Sequence, residues 1–466
     1  MAKAFDVLVI GSGPAGYVAA IRCAQLGLST ACVEKSPVLG GTCLNVGCIP
    51  SKTLLHSTEV YYKNKHDSSK FGVNYTELSF DFSAMLSYKS KVVKTFQQGI
   101  EGLFQKNKVT KFIGSASLLS PNSVEVVNGS EKTIVEARFV IIATGSEPIS
   151  LPFLPFDQKK IISSTEALSL EKIPKKIVVI GAGAIGIELG SVYNRLGSEV
   201  VFIEFLDRIC AFLDEPVSVE LQKSLESQGM RFFLSSKVTK GEMLNNGVQI
   251  TALQKEATEI TFDADLALVA IGRKPYTQNL GLEKIGVLPN KQGRIEVDGQ
   301  FRTTIPNVFA IGDVIDGPML AHKGSEEGVV VAELIAGQSP ILDYITIPNV
   351  VYSYPEVATV GLTEQEVKKL GIEYYAGTFP FTANSRAKCI GEEKGFVKII
   401  GHKSSDRILG MHIISAHASE LISVGVMAIK QKMTLSALSH TPIAHPTLAE
   451  AIKEAALAAQ KRAIHR

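Results

Sequence analysis

The chain lacks the marks of several protein classes. Only 6 cysteines occur in 466 residues, aromatic residues make up 7%, and the formal net charge is +2. Cysteines this sparse, at positions 23, 32, 43, 48, 210 and 389, do not build a secreted disulfide scaffold and point instead to a reducing, cytoplasmic setting. A charge balance this close to neutral offers no basic face to a nucleic acid and no acidic tail. No apolar run reaches the ~18 residues of a membrane span, and the start MAKAFDVLVIGSGPAG runs from one lysine into a folded-domain pattern rather than a signal peptide. Neither a nucleic-acid nor a membrane partner is expected. At roughly 150 residues per domain, the length implies about three domains, each long enough to bury a core.

What the chain does contain is repetition. Laid on itself with an offset of 170, it aligns Gly11, Gly13 and Gly16 with Gly181, Gly183 and Gly186, and Glu34 with Glu204. Each copy reads as an apolar strand, a Gly-x-Gly-x-x-Gly turn, an amphipathic helix and a second strand ending at the acid. A glycine-rich turn alone marks no more than a tight strand-to-helix connection. Here the acid follows the last glycine by 18 residues in both copies (Gly16 to Glu34, Gly186 to Glu204), the arrangement of a dinucleotide-binding βαβ unit. The glycines let backbone approach a pyrophosphate, which sits against the positive end of the following helix. The chain should therefore hold two dinucleotides.

A shorter repeat pairs FVIIATGSEP, residues 139–148, with LALVAIGRKP, residues 266–275. Each looks like a strand closing a nucleotide domain. Asn128-Gly129 and Asn246-Gly247 signal hairpins inserted in the two units. The segment ending at Gly312-Asp313, with a helix around 324–337, reads as chain returning to the first unit. From about 344 alternating strands give way to helices, HASELISVGVMAIK and PTLAEAIKEAALAAQKRA, a separate α+β domain. The expected fold is α/β, with two Rossmann-like dinucleotide-binding domains and a C-terminal α+β interface domain. The expected boundaries are 1–147, 148–274, 275–343 and 344–466.

Within GGTCLNVGCIPSK, residues 40–52, Cys43 and Cys48 lie five positions apart. Three readings compete. Zinc needs about four ligands, usually from two such pairs, and no second close pair exists. Inert buried thiols are common one at a time. A redox disulfide beside the first dinucleotide could exchange electrons with a bound ring. Lys52 follows Cys48 by four residues, so a helix would put its ammonium on the same face, where it favours a thiolate and an anionic reduced flavin. It could equally be a solvated surface lysine, and Pro50 interrupts the helical pattern. Near the other end, HTPIAHPTLAEA places Glu450 five residues after His445, at a helix start where the carboxylate can orient the imidazole for acid–base work. By spacing alone, His440 is an equal candidate.

Taken in this order, the two fingerprints, the Cys-x4-Cys segment and the His-x4-Glu terminus resemble the pyridine nucleotide–disulfide oxidoreductase family over essentially the whole chain. YPEVATVGLTE, ANSRAK and AHPTLAEA resemble its interface-domain motifs. The resemblance implies FAD in the first unit, NAD in the second, and an obligate homodimer whose C-terminal domain supplies His445 to the partner's active site. It implies Cys43 and Cys48 as the redox pair and Glu34 on the FAD ribose. It places Lys35, Gly41, Thr42, Gly114, Thr144, Gly145, Asp313 and Ala321 around the flavin, Lys52 paired with Glu188 near the reactive ring, and Val238 and Gly272 against NAD. The implied activity is oxidation of dihydrolipoyl groups, with lipoyl domains of 2-oxo acid dehydrogenase or glycine cleavage complexes as partners. The alternative is a glutathione-like or mercuric reductase of the same architecture. Where the family often reads His-Ala-His-Pro, this chain has Ile443-Ala444-His445-Pro446.

Glu204 bears on the choice of nicotinamide cofactor. Its carboxylate accepts from ribose hydroxyls and repels a 2′-phosphate by about 4 kcal/mol per unit charge at ~4 Å and an effective dielectric near 20. That is roughly a thousandfold preference for NAD over NADP.

Overall fold

The computed structural model describes residues 3–255 and 258–465. The chain forms two compact units. One comprises Met1–Leu54, Asp81–Ile149 and Gly272–Leu342, the other Leu55–Phe80, Ser150–Ile271 and Asp343–Arg466.

In the first unit, strands Thr110–Ile113, Thr30–Glu34, Lys3–Ile10, Glu131–Ile142 and Val308–Ala310 lie side by side and parallel. Val7 to Ile10 and Thr30 to Glu34 are buried without alternation, the pattern of a parallel sheet covered on both faces. Glu131–Ile142 is long enough to serve two partners. Its second half joins the parallel set, and its first half pairs antiparallel with Ser123–Asn128, which continues to Ser115–Ser120. Helix Pro14–Gln25 packs on helix Ala321–Ile335 through small residues. A Cβ on Gly328 would fall 2.6 Å from the Ala15 carbonyl oxygen, so the two backbones can approach only without a side chain there.

The second unit contains a parallel sheet in the order Arg231–Phe233, Glu199–Ile203, Lys176–Ile180, Leu266–Val269, Ile161–Ile162, and a three-stranded antiparallel sheet over 237–264. It also contains a five-stranded antiparallel sheet, Asn349–Val351 to Ile408–Ser415, with helices Ala418–Lys430, Leu435–His440 and Glu450–Ala459. Within this unit Lys398 Nζ lies 2.7 Å from Asp214 Oδ1 and 2.6 Å from Glu364 Oε2, and the Glu364 N–H donates to Asp214 Oδ2 at 2.9 Å. Asp214 stands at the N-cap of helix Glu215–Glu226, so one ammonium ties two helix starts together.

Three expectations shift. Both hairpin turns move by one residue, because the register pairs Asn128 with Glu131 and Leu244 with Gly247, leaving Gly129-Ser130 and Asn245-Asn246 as the two-residue loops. Helix Ala184–Arg195 is not amphipathic, being buried at Gly186 to Tyr193 and at Arg195. The last helix begins at Glu450 rather than at Pro446, where Glu450 accepts the Thr447 N–H at 2.9 Å.

Candidate active site

The first fingerprint is shaped by what glycine omits. Gly11 has φ +102°, and a Cβ there would sit 2.4 Å from the Ala143 carbonyl oxygen, while one on Gly16 would sit 1.9 Å from the Gly11 carbonyl oxygen. These contacts close the turn. Gly13, by contrast, has nothing within 4 Å of its missing Cβ and directly precedes Pro14, the first residue of a helix whose N-terminus has no side-chain cap. Open backbone and uncapped amides form a cradle for a phosphate. Glu34 is buried at the end of the neighbouring strand and accepts from Ser12 N at 2.9 Å, Ser12 Oγ at 2.7 Å and Ser36 N at 2.9 Å. Three of about four lone-pair positions are thus taken.

The cysteine segment is pressed against this turn. A Cβ on Gly41 would lie 2.6 Å from Gly13 Cα. Gly41 and Thr42 open the short helix Gly41–Val46, which carries Cys43, and helix Cys48–Asp67 starts after Gly47. Pro50 falls in the first turn of that helix, where a missing N–H breaks no internal bond, so it does not interrupt the helix. Asn45 anchors the loop, donating to the Leu39 and Gly41 carbonyls at 3.1 and 2.9 Å and accepting from Gln97 Nε2 at 2.7 Å.

Cys43 and Cys48 are half-buried thiols, hydrogen-bonded to each other. The hydrogen bond to Cys48, then burial, then the Cys48 charge hold the Cys43 thiol far above the usual range, with the Cys48 N–H and Lys52 pulling the other way. The contact therefore opposes two negative charges on the pair at once. Lys52 does favour ionisation here, as the smallest of these influences on Cys43.

Around the pair stand residues that sequence reasoning missed. Arg273 donates from Nε to Ser146 Oγ at 2.8 Å and from Nη2 to the Ser146 carbonyl at 2.6 Å, and Ser146 Oγ donates to Asp313 Oδ2 at 2.5 Å. Burial depresses the Arg273 pKa, while Asp313, Cys48 and Glu147 act to raise it, so the guanidinium shares the field of the sulfurs. The second repeat held the signal. Its two tails, Ser146–Pro148 and Arg273–Pro275, pair with each other antiparallel. A buried ion pair, Lys323 Nζ to Glu327 Oε1 at 3.0 Å with both side chains 0% exposed, brackets Gly312, with the Gly312 N–H donating to Glu327 Oε2 at 2.7 Å and Lys323 donating to its carbonyl at 3.0 Å. That bracket fixes the turn carrying Asp313. Ala321 opens the helix bearing both charges. Thr144 Oγ1 donates to the Tyr276 carbonyl at 2.6 Å, the Tyr276 N–H donates to the Gly145 carbonyl at 2.9 Å, and Lys35 Nζ sits 3.8 Å from the Tyr276 ring centroid. The Gly114 N–H donates to the Glu34 carbonyl at 2.8 Å.

In the second unit the fingerprint recurs. Gly181 has φ +99°, a Cβ on Gly186 would lie 2.2 Å from the Gly181 carbonyl oxygen, and Gly183 has open space. Glu204 accepts from Ala182 N at 2.6 Å and Leu206 N at 2.8 Å, leaving about two lone-pair positions free. Glu188 is buried in the fingerprint helix and accepts from Tyr352 N at 3.1 Å. Val238 packs its side chain into the hydrophobic core, which leaves only backbone for a ligand. Gly272 belongs to the first unit, with φ +127° and its carbonyl accepting from Ile149 N at 3.1 Å.

His445 Nδ1 lies 2.9 Å from Glu450 Oε1. Burial raises the Glu450 pKa, but the Thr447 N–H and His445 outweigh it and hold the carboxyl below its usual range. A carboxylate that binds Nδ1 leaves Nε2 to take a proton. His440, the other candidate, spends its Nδ1 on the Ser436 carbonyl at 2.7 Å.

Residues 5–328 match the family model described as pyridine nucleotide-disulphide oxidoreductase, and residues 347–456 match that family's dimerisation domain. The chain belongs to this family. It is 50% identical over 463 residues to dihydrolipoyl dehydrogenase 1, mitochondrial, of Arabidopsis thaliana, covering 99% of this chain and 91% of the relative. It is 50% identical over 463 residues to dihydrolipoyl dehydrogenase, mitochondrial, of Pisum sativum, covering 99% and 92%. A crystal structure of LpdA from Mycobacterium tuberculosis superposes with a TM-score of 0.90 at 25% identity, covering 97% of this chain and 99% of that one.

This pyridine nucleotide-disulphide oxidoreductase takes FAD and NAD as cofactors and is a homodimer. The residues present suit both groups, since each fingerprint offers open glycine backbone at an uncapped helix start and a carboxylate with acceptor positions to spare. The cytoplasmic expectation is overturned, because the Arabidopsis and Pisum relatives are mitochondrial. Sparse cysteines do not separate one reducing compartment from another.

Proposed function

We propose that the protein oxidises dihydrolipoyl groups to lipoyl groups, with NAD as the final acceptor, and that lipoyl domains of 2-oxo acid dehydrogenase or glycine cleavage complexes deliver the substrate. The observation that carries this reading is the Cys43–Cys48 contact, two half-buried sulfurs within hydrogen-bonding reach of each other. In the oxidised enzyme the two sulfurs form a disulfide. His445, oriented by Glu450, takes the proton from one substrate thiol. The substrate thiolate attacks Cys43, forming a mixed disulfide and expelling Cys48 as thiolate. The second substrate thiol attacks the substrate sulfur and frees Cys43, its proton passing to the departing Cys43 sulfur while the first proton stays on His445. Two electrons and two protons have then left the dithiol, and the electrons rest on the reduced pair. FAD held at the first fingerprint would supply a two-electron acceptor for the reduced pair, and NAD held at the second would supply the hydride acceptor that reoxidises it. Lys52 and Arg273 supply the positive field that favours the Cys48 thiolate.

In this reading 1–147 and 275–343 hold FAD through Gly11, Gly13, Gly16, Glu34, Gly41, Thr42, Gly145 and Asp313. Residues 148–274 hold NAD through Gly181, Gly183, Gly186 and Glu204, and 344–466 supply His445 to the partner subunit. The test is turnover of dihydrolipoamide against NAD. Cys48→Ser should stay yellow, lose the long-wavelength thiolate-to-flavin band and fall to below about a thousandth of wild-type activity. Wild-type turnover by Cys48→Ser, or faster turnover of glutathione than of lipoamide, would refute the proposal.

A further inference from the structure

The offset of 170 that aligns the two fingerprints also carries Ser12 onto Ala182 and Gly40 onto Cys210. These positions play matching parts in the two units. In the first, the Gly40 N–H donates to the Ser12 carbonyl at 3.1 Å, and Gly40 has φ +102°. In the second, the Cys210 N–H donates to the Ala182 carbonyl at 2.9 Å, and Cys210 has φ +42°. Both residues are left-handed, but only one is glycine.

A residue with a Cβ takes that conformation at a steric cost, so other contacts have to hold it there. In the first unit only glycine fits, since a Cβ on Gly40 would lie 2.3 Å from Leu44 Cδ2 and 2.7 Å from Leu44 Cβ. The second unit keeps a thiol in this place, 2% exposed. Cys210 Sγ donates to the same Ala182 carbonyl at 3.5 Å. Burial first, then the charges of Glu188 and Glu204, push the thiol far above its usual range, so it stays protonated and acts as a donor rather than a nucleophile.

The two units therefore brace one contact with different side chains. Ser12 Oγ accepts from the Gly40 N–H at 3.2 Å and donates to Glu34 Oε2 at 2.7 Å, which stiffens the first turn from within. Ala182 has no hydroxyl, and Cys210 supplies a second donor from the facing loop. That loop is itself fixed, with the Leu213 N–H donating to the Cys210 carbonyl at 2.9 Å and Ser218 Oγ to the Ile209 carbonyl at 2.6 Å. On its other side Ala182 donates its N–H to Glu204 Oε2 at 2.6 Å.

The held carbonyl belongs to the peptide that also carries the Gly183 N–H. This peptide is trans, so its C=O and N–H point in opposite directions. A carbonyl drawn toward Cys210 sends the Gly183 N–H away from the loop, at the start of a helix that no side chain caps.

We infer that Cys210 is a positioning residue for the pyridine nucleotide, its N–H and thiol together fixing the Ala182 peptide so that the Gly183 N–H meets a pyrophosphate oxygen. This role rests on the reading that NAD occupies the second fingerprint. Without the thiol the turn samples other orientations, and affinity falls by the fraction of chains left in the competent one.

The test is calorimetric titration of the oxidised, FAD-loaded dimer with NAD. Cys210→Ala keeps the Cβ and loses the donor, and should weaken NAD about fivefold, the ordinary worth of one hydrogen bond. Cys210→Ser restores a donor and should bind within about twofold of wild type. Were the thiol only filling space, Cys210→Ser would do no better than Cys210→Ala, because an unpartnered buried hydroxyl costs more than a methyl. Cys210→Gly, which the left-handed backbone accepts without strain, should bind no tighter than Cys210→Ala and carries the test if that variant does not fold. Wild-type affinity in Cys210→Ala or Cys210→Gly, or Cys210→Ser as weak as Cys210→Ala, would overturn the inference. Gly186→Ala separates this role from the placement of NAD. Loss of NAD there with wild-type binding by Cys210→Ala sinks the role of Cys210 alone, and wild-type binding by Gly186→Ala sinks both.

Discussion

Helix Pro14–Gln25 and helix Ala184–Arg195 hold equivalent places in the two glycine-fingerprint units and are each 12 residues long, yet the first buries one face of small residues while the second is buried almost throughout. The acids differ in the same way. Glu34 is buried and has three protein donors, whereas Glu204 is more open and has two. One local code, a turn closed by a glycine that touches the preceding carbonyl, has been placed in two environments. The code makes the phosphate cradle, and the environment decides how much freedom the acid keeps to read the ribose.

The comparison breaks most completely at the glycines. Gly16→Ala would drive a Cβ to 1.9 Å from backbone and should cost about 3 kcal/mol or more, leaving the purified protein colourless and without a cooperative melt. Gly186→Ala, at 2.2 Å, should keep the yellow chromophore and lose NAD-linked turnover, and absorption spectra with steady-state assays separate the two outcomes. If both variants lose FAD equally, the copies are not independent cradles.

Next in size is cofactor choice. Glu204→Gln should lower the ratio of kcat/KM for NAD over NADP by up to roughly a thousandfold, from the repulsion of about 4 kcal/mol it removes. Glu34→Gln should leave that ratio alone and weaken FAD retention instead. A parallel shift in both variants would mean that the two acids share one role.

The smallest effect concerns acid stability in the second unit. Three lysine and tyrosine hydrogen bonds outweigh burial and hold Glu364 at about 2, below its ordinary 4.5. A depressed carboxyl contributes stability that is present above about 4.5 and lost as pH falls through about 2. Glu364→Gln should therefore cost on the order of 2 kcal/mol at neutral pH after allowance for solvent screening, and flatten the acid limb of a urea-melt series. An unchanged limb would place the acid sensitivity elsewhere.

Much of the site was legible because it is local. The fingerprints, the Cys43–Cys48 spacing and the His445–Glu450 pair each lie within a few turns of chain, where residue type and spacing suffice. Arg273, Ser146 and the Lys323–Glu327 bracket escaped notice because their partners are distant in sequence. Ser146 meets Asp313 across 167 positions, and no periodicity reports such a contact. The amphipathic reading of the second helix failed for the same reason, since burial depends on what folds against a surface.

From the sequence alone came two phosphate cradles, a sulfur pair beside the first and an oriented base at the other end, because backbone freedom, strand period and short spacing are properties of neighbouring residues. Only the tertiary structure decided that the two sulfurs meet half-buried, which cation shares their field, and that Arg195 is sealed from water. Those are matters of desolvation and of partners gathered from far along the chain.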